Sequence, residues 1–384
     1  MNAAEGTPSL RMVGPWPPSK GVSLYCYHLA TAVSRLTPVQ FSPLSKLYPT
    51  SLYPGRTTEM PHFAAHIPKD SKLRITGSIS YRRPPSWLTP ALEPNAILHL
   101  HWWTPYRSII YAPMLSLARR RGSASILTLH NVLPHESRRV DMLASRVIME
   151  MTSRFIVHSR MNKAEAMAVF GLEEERIHIV PHGPLTVLLR RKVPRRQARR
   201  ALNIPPEKRV LLFFGNIREY KGLRTLVEAT RIAKRQVDDL LLIVAGEVWK
   251  HLEYLLRIPP DLKSDVRLYP WFIPTEKTTY FFQAADLVVL PYERFHGQSG
   301  VASAAHAFGK PLLVTQVGGL PEMVRDSIAV AKPNDPNDLA RRISAIMTDP
   351  SVLNKLGKDS RLRARDFSWD KIARMTMEVY ASAQ

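Results

Sequence analysis

The second half of the chain alternates short, continuously apolar runs with segments of helical periodicity. The clearest run, RVLLFFGNI at 209–217, has no charged residue after its first, and the segment behind it repeats apolar residues at Leu223, Leu226 and Val227. A continuous apolar run of this length is typical of a strand buried on both faces, and the spacing behind it is typical of an amphipathic helix. The alternation predicts βαβ units, in which helices cover a parallel sheet.

The same alternation of predicted strands and helices continues to the C-terminus and is present, less regularly, in the first half. Further predicted strands in the second half are 239–247, 265–272, 286–292 and 311–319, and predicted helices are 278–285, 300–310 and 335–347. Predicted strands in the first half are 9–14, 96–103, 123–132, 154–160 and 176–180, and predicted helices are 22–35, 107–121, 138–153 and 161–170. The stretch 38–95 is rich in proline and poorly periodic, so no element is predicted there.

Chain length and one basic segment together predict two domains. A single core stops growing near ~250–300 residues, and this chain has 384. The segment 186–207 combines seven lysines and arginines with three prolines, which predicts an exposed interdomain connection. The expected domains are therefore 1–185 and 208–365, each a Rossmann-like, doubly wound parallel sheet, with a cleft between them.

The net charge is the unusual feature of the composition. Lysine and arginine total 54 against 32 acidic residues, a formal charge of +22. The excess is present in both halves, so it is not a basic tail on a neutral body. Such a charge favours anionic partners: phosphorylated substrates, nucleic acid or an anionic membrane surface.

Several features predict a soluble, intracellular protein. The first fifteen residues lack the apolar core of a signal peptide, and the longest apolar runs are far below the ~18 residues that span a bilayer. The single cysteine, Cys26, excludes an internal disulfide and any metal site built on a cysteine pair.

Many enzyme classes lack their sequence signatures here. The chain has no P-loop, no G-x-G dinucleotide fingerprint, no H-E-x-x-H, no Asp-x-Asp and no G-x-S-x-G elbow. Catalysis through a protein-bound metal or an activated serine therefore has no support from the sequence, and no cofactor is expected.

One loop carries the strongest chemical signal. Gly215-Asn-Ile-Arg218-Glu-Tyr-Lys221-Gly222 lies between a predicted strand and a predicted helix, at the sheet edge where open α/β folds bind ligands. Gly215 permits a tight turn, and Arg218 and Lys221 would stand where the helix start already favours an anion. The spacing is suited to a diphosphate. The alternative is that both cations are surface charges in an ordinary loop.

This loop and several other segments, in the same order, resemble the retaining glycosyltransferases of family 4, which have the GT-B fold. The matching segments are G-x-x-R-x-x-K-G at 215–222, GVSLYCYHLATAVSR, LHLHWW, LTLHN, VPHGP, AFGKPLLVTQVGGLPEMV and DFSWDKIARMTMEVY. The resemblance covers nearly the whole chain except 38–95. It implies a nucleoside-diphosphate-sugar donor on the second domain, an acceptor on the first, retention of configuration and no metal. It also implies that the C-terminal helix, 366–384, joins the first domain.

The resemblance assigns roles to individual residues. It makes Arg218, Lys221 and His130 the expected catalytic residues, with His130 contacting the sugar. The expected donor-binding residues are Gly21, Gly215, Gly297, Gln298, Ser299, Gly300 and Glu322. Simpler roles stay open, because His130 could be a satisfied polar group at a strand end and Ser299 a helix cap.

The sequence departs from the family pattern at the donor site. The family's two glutamates, which have seven residues between them, correspond here to His296 and Ala304, and the loop instead resembles a subgroup with Gln-Ser-Gly. Glu293 is a candidate replacement for the first glutamate. The first-domain loop has one glycine, Gly21, of the usual pair.

These features together favour a metal-independent hexosyltransferase. Its acceptor would be lipid-linked or a glycan, and the protein would be cytoplasmic or peripheral on the inner face of the cell membrane, because basic residues at 190–200 are interleaved with Leu188, Leu189 and Val193. Two alternatives stay open: a nucleotide-sugar epimerase of the same fold, which needs cleft carboxylates, and a nucleic-acid-binding protein, which would explain the charge but lacks a known module. The sequence leaves the oligomeric state undetermined.

Overall fold

The structure is a computed structural model that describes residues 9–45, 59–60, 65–132, 139–189 and 193–384. The chain divides into two compact units. Unit 1 contains the described residues up to His182 and the C-terminal segment Trp369–Gln384, and unit 2 contains Gly183–Ser368. Each unit is a Rossmann-like α/β domain with a parallel sheet, as the strand–helix alternation predicts.

The described part of unit 1 has a seven-stranded sheet in the order β3-β2-β1-β4-β5-β6-β7, with every pairing parallel. The strands are β1 Leu10–Gly14, β2 Val39–Pro43, β3 Leu73–Ile75, β4 Ile97–Trp102, β5 Ala124–Leu129, β6 Arg154–Val157 and β7 Ile177–Ile179. The helices are α1 Ser23–Val33, α2 Pro85–Leu88, α3 Ser108–Arg120, α4 Arg139–Met151, α5 Arg160–Phe170 and α12 Trp369–Ser382.

The described part of unit 2 has a six-stranded parallel sheet in the order β10-β9-β8-β11-β12-β13. Its strands are β8 Arg209–Phe214, β9 Leu240–Ala245, β10 Val266–Tyr269, β11 Leu287–Leu290, β12 Leu312–Thr315 and β13 Val330–Ala331. Its helices are α6 Arg195–Ala201, α7 Leu223–Ala233, α8 Thr275–Ala284, α9 Gly300–Ala307, α10 Pro336–Thr348 and α11 Pro350–Asp366.

Two strands lie in the stretch where the sequence predicts none. β2 pairs with β1, and β3 pairs with β2 at the edge of the sheet. They have five and three residues and lie among prolines, so neither shows a periodicity long enough to read.

The basic segment after unit 1 is exposed at positions such as Arg195, Arg196 and Arg200, as its composition predicts, but part of it packs into unit 2. Val193 and Ala198 are buried, and α6 packs against α8 of the same unit. The buried guanidinium of Arg199 donates to the Asp286 carboxylate at 2.7 Å and to the Pro206 carbonyl at 2.8 Å. Arg190, Arg191 and Lys192 lie outside the described residues.

Helix α12 follows unit 2 in sequence but packs in unit 1. It contacts α1, and the Tyr380 hydroxyl lies 2.7 Å from Nδ1 of His99 on β4. Within the described residues, no helix is both long and apolar enough to cross a bilayer.

Candidate functional site

The carboxyl ends of β8, β9 and β11 meet in unit 2, and glycines make the approach possible. A Cβ on Gly246 would lie 2.0 Å from the Gly215 carbonyl oxygen, so the loops after β9 and β8 touch. A Cβ on Gly222, whose φ is +66°, would lie 1.9 Å from the Pro291 carbonyl oxygen after β11. Because β8 and β11 are neighbours whose helical connections run to opposite sides of the sheet, this edge is the switch point where open α/β sheets bind ligands.

Lys221 is drawn inward by this packing. Its side chain is buried, and Nζ lies 5.5 Å from the centre of the Tyr292 ring. A Cβ on Gly215 would lie 3.3 Å from both Lys221 Nζ and Val301 Cγ2, which places the ammonium group beside the first turn of α9. Burial, followed by the charge of Arg218, lowers the pKa of Lys221 to about 7.

Arg218 is held over aromatic rings. The carbon at the centre of its guanidinium lies 3.9 Å from the centre of the Trp249 ring and 4.9 Å from that of Tyr220. Tyr220 in turn stacks on Phe295, with ring centres 6.4 Å apart. Stacking of this kind fixes a guanidinium plane without consuming its N–H donors.

Helix α9 begins at the same place. Ser299 accepts a hydrogen bond from the Ala302 amide at 3.4 Å, so it caps the helix, and its hydroxyl also lies 3.3 Å from the Tyr292 hydroxyl. The first N–H groups of a helix lack intrahelical partners and favour an anion. Val301, in the first turn of α9, lies beside Lys221, so this helix start and the loop 215–222 are close together.

Three further positions that the sequence analysis named for the donor site are Glu293, Ala304 and Glu322. Glu293 is half-buried and joins the loop through a bond from its own amide to the Tyr220 carbonyl at 2.7 Å. Ala304 is buried inside α9, and Glu322 lies in a short 3-10 turn. Glu247, which the sequence analysis did not single out, is a buried carboxylate directly after Gly246 at the same edge.

The sequence analysis also missed the aromatic side chains of this site. Trp249, Tyr220, Tyr292 and Phe295 all belong to loops that leave the sheet edge. Aromatic residues two to six positions after an apolar strand are the signal that could have identified them.

In unit 1, His130 lies directly after β5 among other histidines. Its Nε2 is 3.2 Å from His101 Nδ1 and its Nδ1 is 3.2 Å from His158 Nε2. Burial, followed by the neighbouring imidazoles, lowers the pKa of His101 and His130 well below the usual range. Gly21 has a φ of +82°, and a Cβ at this position would have no atom within 4 Å, so its surroundings are open.

The described residues contain no group of three or more histidine, cysteine, aspartate or glutamate side chains placed to hold a metal ion. The buried ring nitrogens of His99 are bonded to the Tyr380 and Thr128 hydroxyls, at 2.7 Å each.

Comparison with known proteins agrees with this architecture. Residues 194–363 match the family described as glycosyl transferases group 1. A D-inositol 3-phosphate glycosyltransferase from Pseudarthrobacter chlorophenolicus is 29% identical over 305 residues, which cover 75% of this chain and 70% of the relative.

Solved structures match nearly the whole chain. Sucrose-phosphate synthase from Thermosynechococcus elongatus has a TM-score of 0.72 at 19% identity, covering 97% of this chain and 98% of that one. HepE from Anabaena in complex with UDP-glucose has a TM-score of 0.73 at 16% identity, covering 97% and 100%. These likenesses show the GT-B fold, and the sequence matches are to glycosyltransferases.

Proposed function

We propose that this protein is a group 1 glycosyltransferase that moves a hexose from a nucleoside diphosphate sugar to an acceptor, with retention of configuration. The observation that carries the proposal is the convergence of Lys221, Arg218 and the first turn of α9 at the switch point of unit 2. Two side-chain cations and a helix start suit a diphosphate, whose charge grows as the sugar leaves. HepE, of the same fold, is described in complex with UDP-glucose.

The chemistry proposed for these residues is electrophilic. Lys221 and Arg218 stabilise the leaving diphosphate, and a phosphate oxygen takes the proton of the acceptor hydroxyl. An approaching diphosphate favours the protonated form of Lys221, whose pKa near 7 leaves it partly neutral in the free protein. We propose that these cations do the work of a metal, so that none is required.

The experiment is a donor screen with purified protein, comparing UDP-, GDP- and ADP-hexoses, each with and without excess chelator. We expect one nucleotide to bind in the micromolar range, slow hydrolysis of its sugar donor without acceptor, and equal rates with chelator. Binding of no nucleotide sugar would overturn the proposed function. Loss of turnover in chelator, restored by manganese or magnesium, would overturn metal independence.

We further propose that the acceptor carries phosphate, because the charge of +22 favours an anionic partner and the curated relative is named for an inositol phosphate. In the lipid-linked form of this proposal, the protein binds an anionic membrane surface. Leu188 and Val193, which the sequence assigned to that contact, are buried. Exposed apolar side chains lie on α3 and α4 instead, where Ile109 is 63% and Leu143 is 68% exposed, with the exposed Arg146 on the same helix as Leu143.

We expect the protein to bind vesicles of anionic phospholipid and not neutral ones, with binding weakening steeply as salt rises, because the attraction is screened over about 8 Å at physiological ionic strength. Leu143→Asp should reduce binding at least ~fivefold in a sedimentation assay, since each buried apolar side chain contributes ~1.5–3 kcal/mol. The matched control is Leu92→Asp, at a site that is 50% exposed elsewhere in unit 1. Equal binding to anionic and neutral vesicles at low salt would contradict the membrane-bound form of the proposal. The form that remains would be a soluble phosphorylated acceptor.

A further inference from the structure

Three histidines on consecutive strands of unit 1 form a hydrogen-bonded chain. His101 is on β4, His130 follows β5 and His158 follows β6. The links run from His101 Nδ1 to His130 Nε2 and from His130 Nδ1 to His158 Nε2, both 3.2 Å, and His158 Nδ1 is 2.9 Å from the Val180 carbonyl oxygen. The rings of His101 and His158 are essentially inaccessible, and His130, 7% exposed, is the member that reaches the surface.

The chain has one direction. A carbonyl oxygen only accepts, so His158 must carry its proton on Nδ1, and its Nε2 must accept from His130. His130 then carries its proton on Nδ1 and accepts at Nε2 from His101. Nε2 of His101 is left as a bare lone pair, buried and with no hydrogen-bond partner among the described residues.

This assignment requires neutral rings, and the surroundings keep them neutral. Burial, followed by the neighbouring His182, lowers the pKa of His158 to about 3, and burial likewise depresses the pKa of His101 and His130. The ring of His101 also lies close to the backbone of Gly14, since a Cβ added to Gly14 would be only 2.8 Å from His101 Cδ2. This close packing hinders rotation of the ring.

We propose that this chain locks His130 in the Nδ1–H tautomer, and that His101 and His158 are positioning residues for the sugar contact of His130. The inference rests on the proposed function for that contact. The locked ring has no N–H to offer a ligand, since its only proton is held by His158. Its other nitrogen, Nε2, accepts from His101, so the orientation of the ring is set before a sugar binds.

The lock is tested directly by nitrogen-15 NMR of the imidazole rings, which distinguishes protonated from unprotonated ring nitrogens without any substrate. We expect His130 in the wild-type protein to show a protonated Nδ1 and an unprotonated Nε2. A protonated Nε2, or exchange between the two tautomers, would overturn the proposal. Because this measurement needs no turnover, it decides the lock even if the proposed function fails.

Matched amide variants test the positioning role. A glutamine amide overlaps imidazole Nε2 and an asparagine amide overlaps Nδ1. His158→Gln therefore keeps an acceptor for His130, and His101→Asn keeps a donor to it, while His158→Asn and His101→Gln remove them. We expect the first pair to retain the His130 tautomer and kcat within about threefold, and the second pair to lose the single tautomer and at least ~tenfold in kcat.

The two pairs carry the same polar groups at the same buried sites, so a purely structural role predicts equal losses in both, which would overturn the positioning claim.

Discussion

Lys221→Met should lower kcat for glycosyl transfer by at least ~100-fold and leave the protein folded. Removing one preorganised group that stabilises developing charge typically costs ~10²–10³ in rate. Lys221 is buried beside the start of α9, so its charge lies within the site. The fold should not suffer, because methionine fills the same volume and removes a group whose charged form burial disfavours. Initial rates with saturating donor and the thermal midpoint are the two measurements.

The control for Lys221 lies one turn away. Arg224 is exposed on α7, so Arg224→Ala removes a nearby positive charge without entering the site and should retain activity within about twofold. Arg218→Ala should behave like Lys221→Met, and the double variant should lose less than the product of the two, since both groups serve one diphosphate. Full activity in Lys221→Met would remove the diphosphate assignment.

The lowered pKa of Lys221 predicts that the rate of glycosyl transfer depends on pH. In the free protein this pKa is about 7, so the ammonium form is lost as pH rises through that value. We expect kcat/KM to fall above pH ~7, because it reports the free enzyme, and kcat to hold to higher pH, because bound diphosphate favours the charged amine. A kcat/KM that is flat from pH 6 to 9 would contradict this assignment.

The strands and the loop at 215–222 could be predicted from the sequence because each leaves a local signal. β8 and β9 are continuous apolar runs, and 215–222 shows its glycines and cations within eight residues. The stacking of Arg218 on Trp249 could not be predicted, because Trp249 follows a different strand and meets Arg218 only through the register of β8 and β9. The burial of Arg199 against Asp286 was not predicted either, because charge suggested solvent, as it does correctly for the exposed Arg195 and Arg200.

The contacts among the histidines of unit 1 also could not be predicted from the sequence. Alternation places His99 and His101 on one face of β4, and both are buried with ring centres 4.8 Å apart, but the sequence gives no sign that His130 and His158 join them. They meet because parallel strands end at one edge. Single-strand patterns contain no information about which strands are neighbours, so the chain of imidazoles emerges only from the sheet order.

The buried, neutral histidines should make unit 1 unfold in mild acid. Burial lowers the pKa of His99 and His158 to about 3, and it lowers the pKa of His101 and His130 well below the usual range. In the unfolded chain each imidazole titrates near ~6.5, so below that pH the unfolded state binds more protons than the folded one. The stability of the neutral rings is therefore fully present above pH ~6.5 and is lost as pH falls towards 3.

The size of the effect follows from the number of rings. Each ring contributes up to ~1.4 kcal/mol per pH unit, so the four together approach ~5 kcal/mol per unit below pH ~5.5, against a typical domain stability of ~5–15 kcal/mol.

The pH range of this loss distinguishes the effect of the histidines from that of the carboxylates. Burial opposes ionisation of Asp265, but hydrogen bonds from Lys234 and Lys208 leave its pKa lowered, so its contribution disappears only below pH ~4.

Urea unfolding followed by tryptophan fluorescence at pH 7.5, 6.5 and 5.5 measures this loss. We expect the free energy of unfolding of unit 1 to fall by several kcal/mol between the first and last pH, because every buried ring must be charged on unfolding. His99→Gln should reduce the slope by about a quarter, since one of four rings no longer titrates. His66→Asn, at an exposed site in the same unit, should leave the slope unchanged. Equal stability at pH 7.5 and 5.5 would show that the four rings are not held neutral, and the directed chain through His130 would then lose its physical basis.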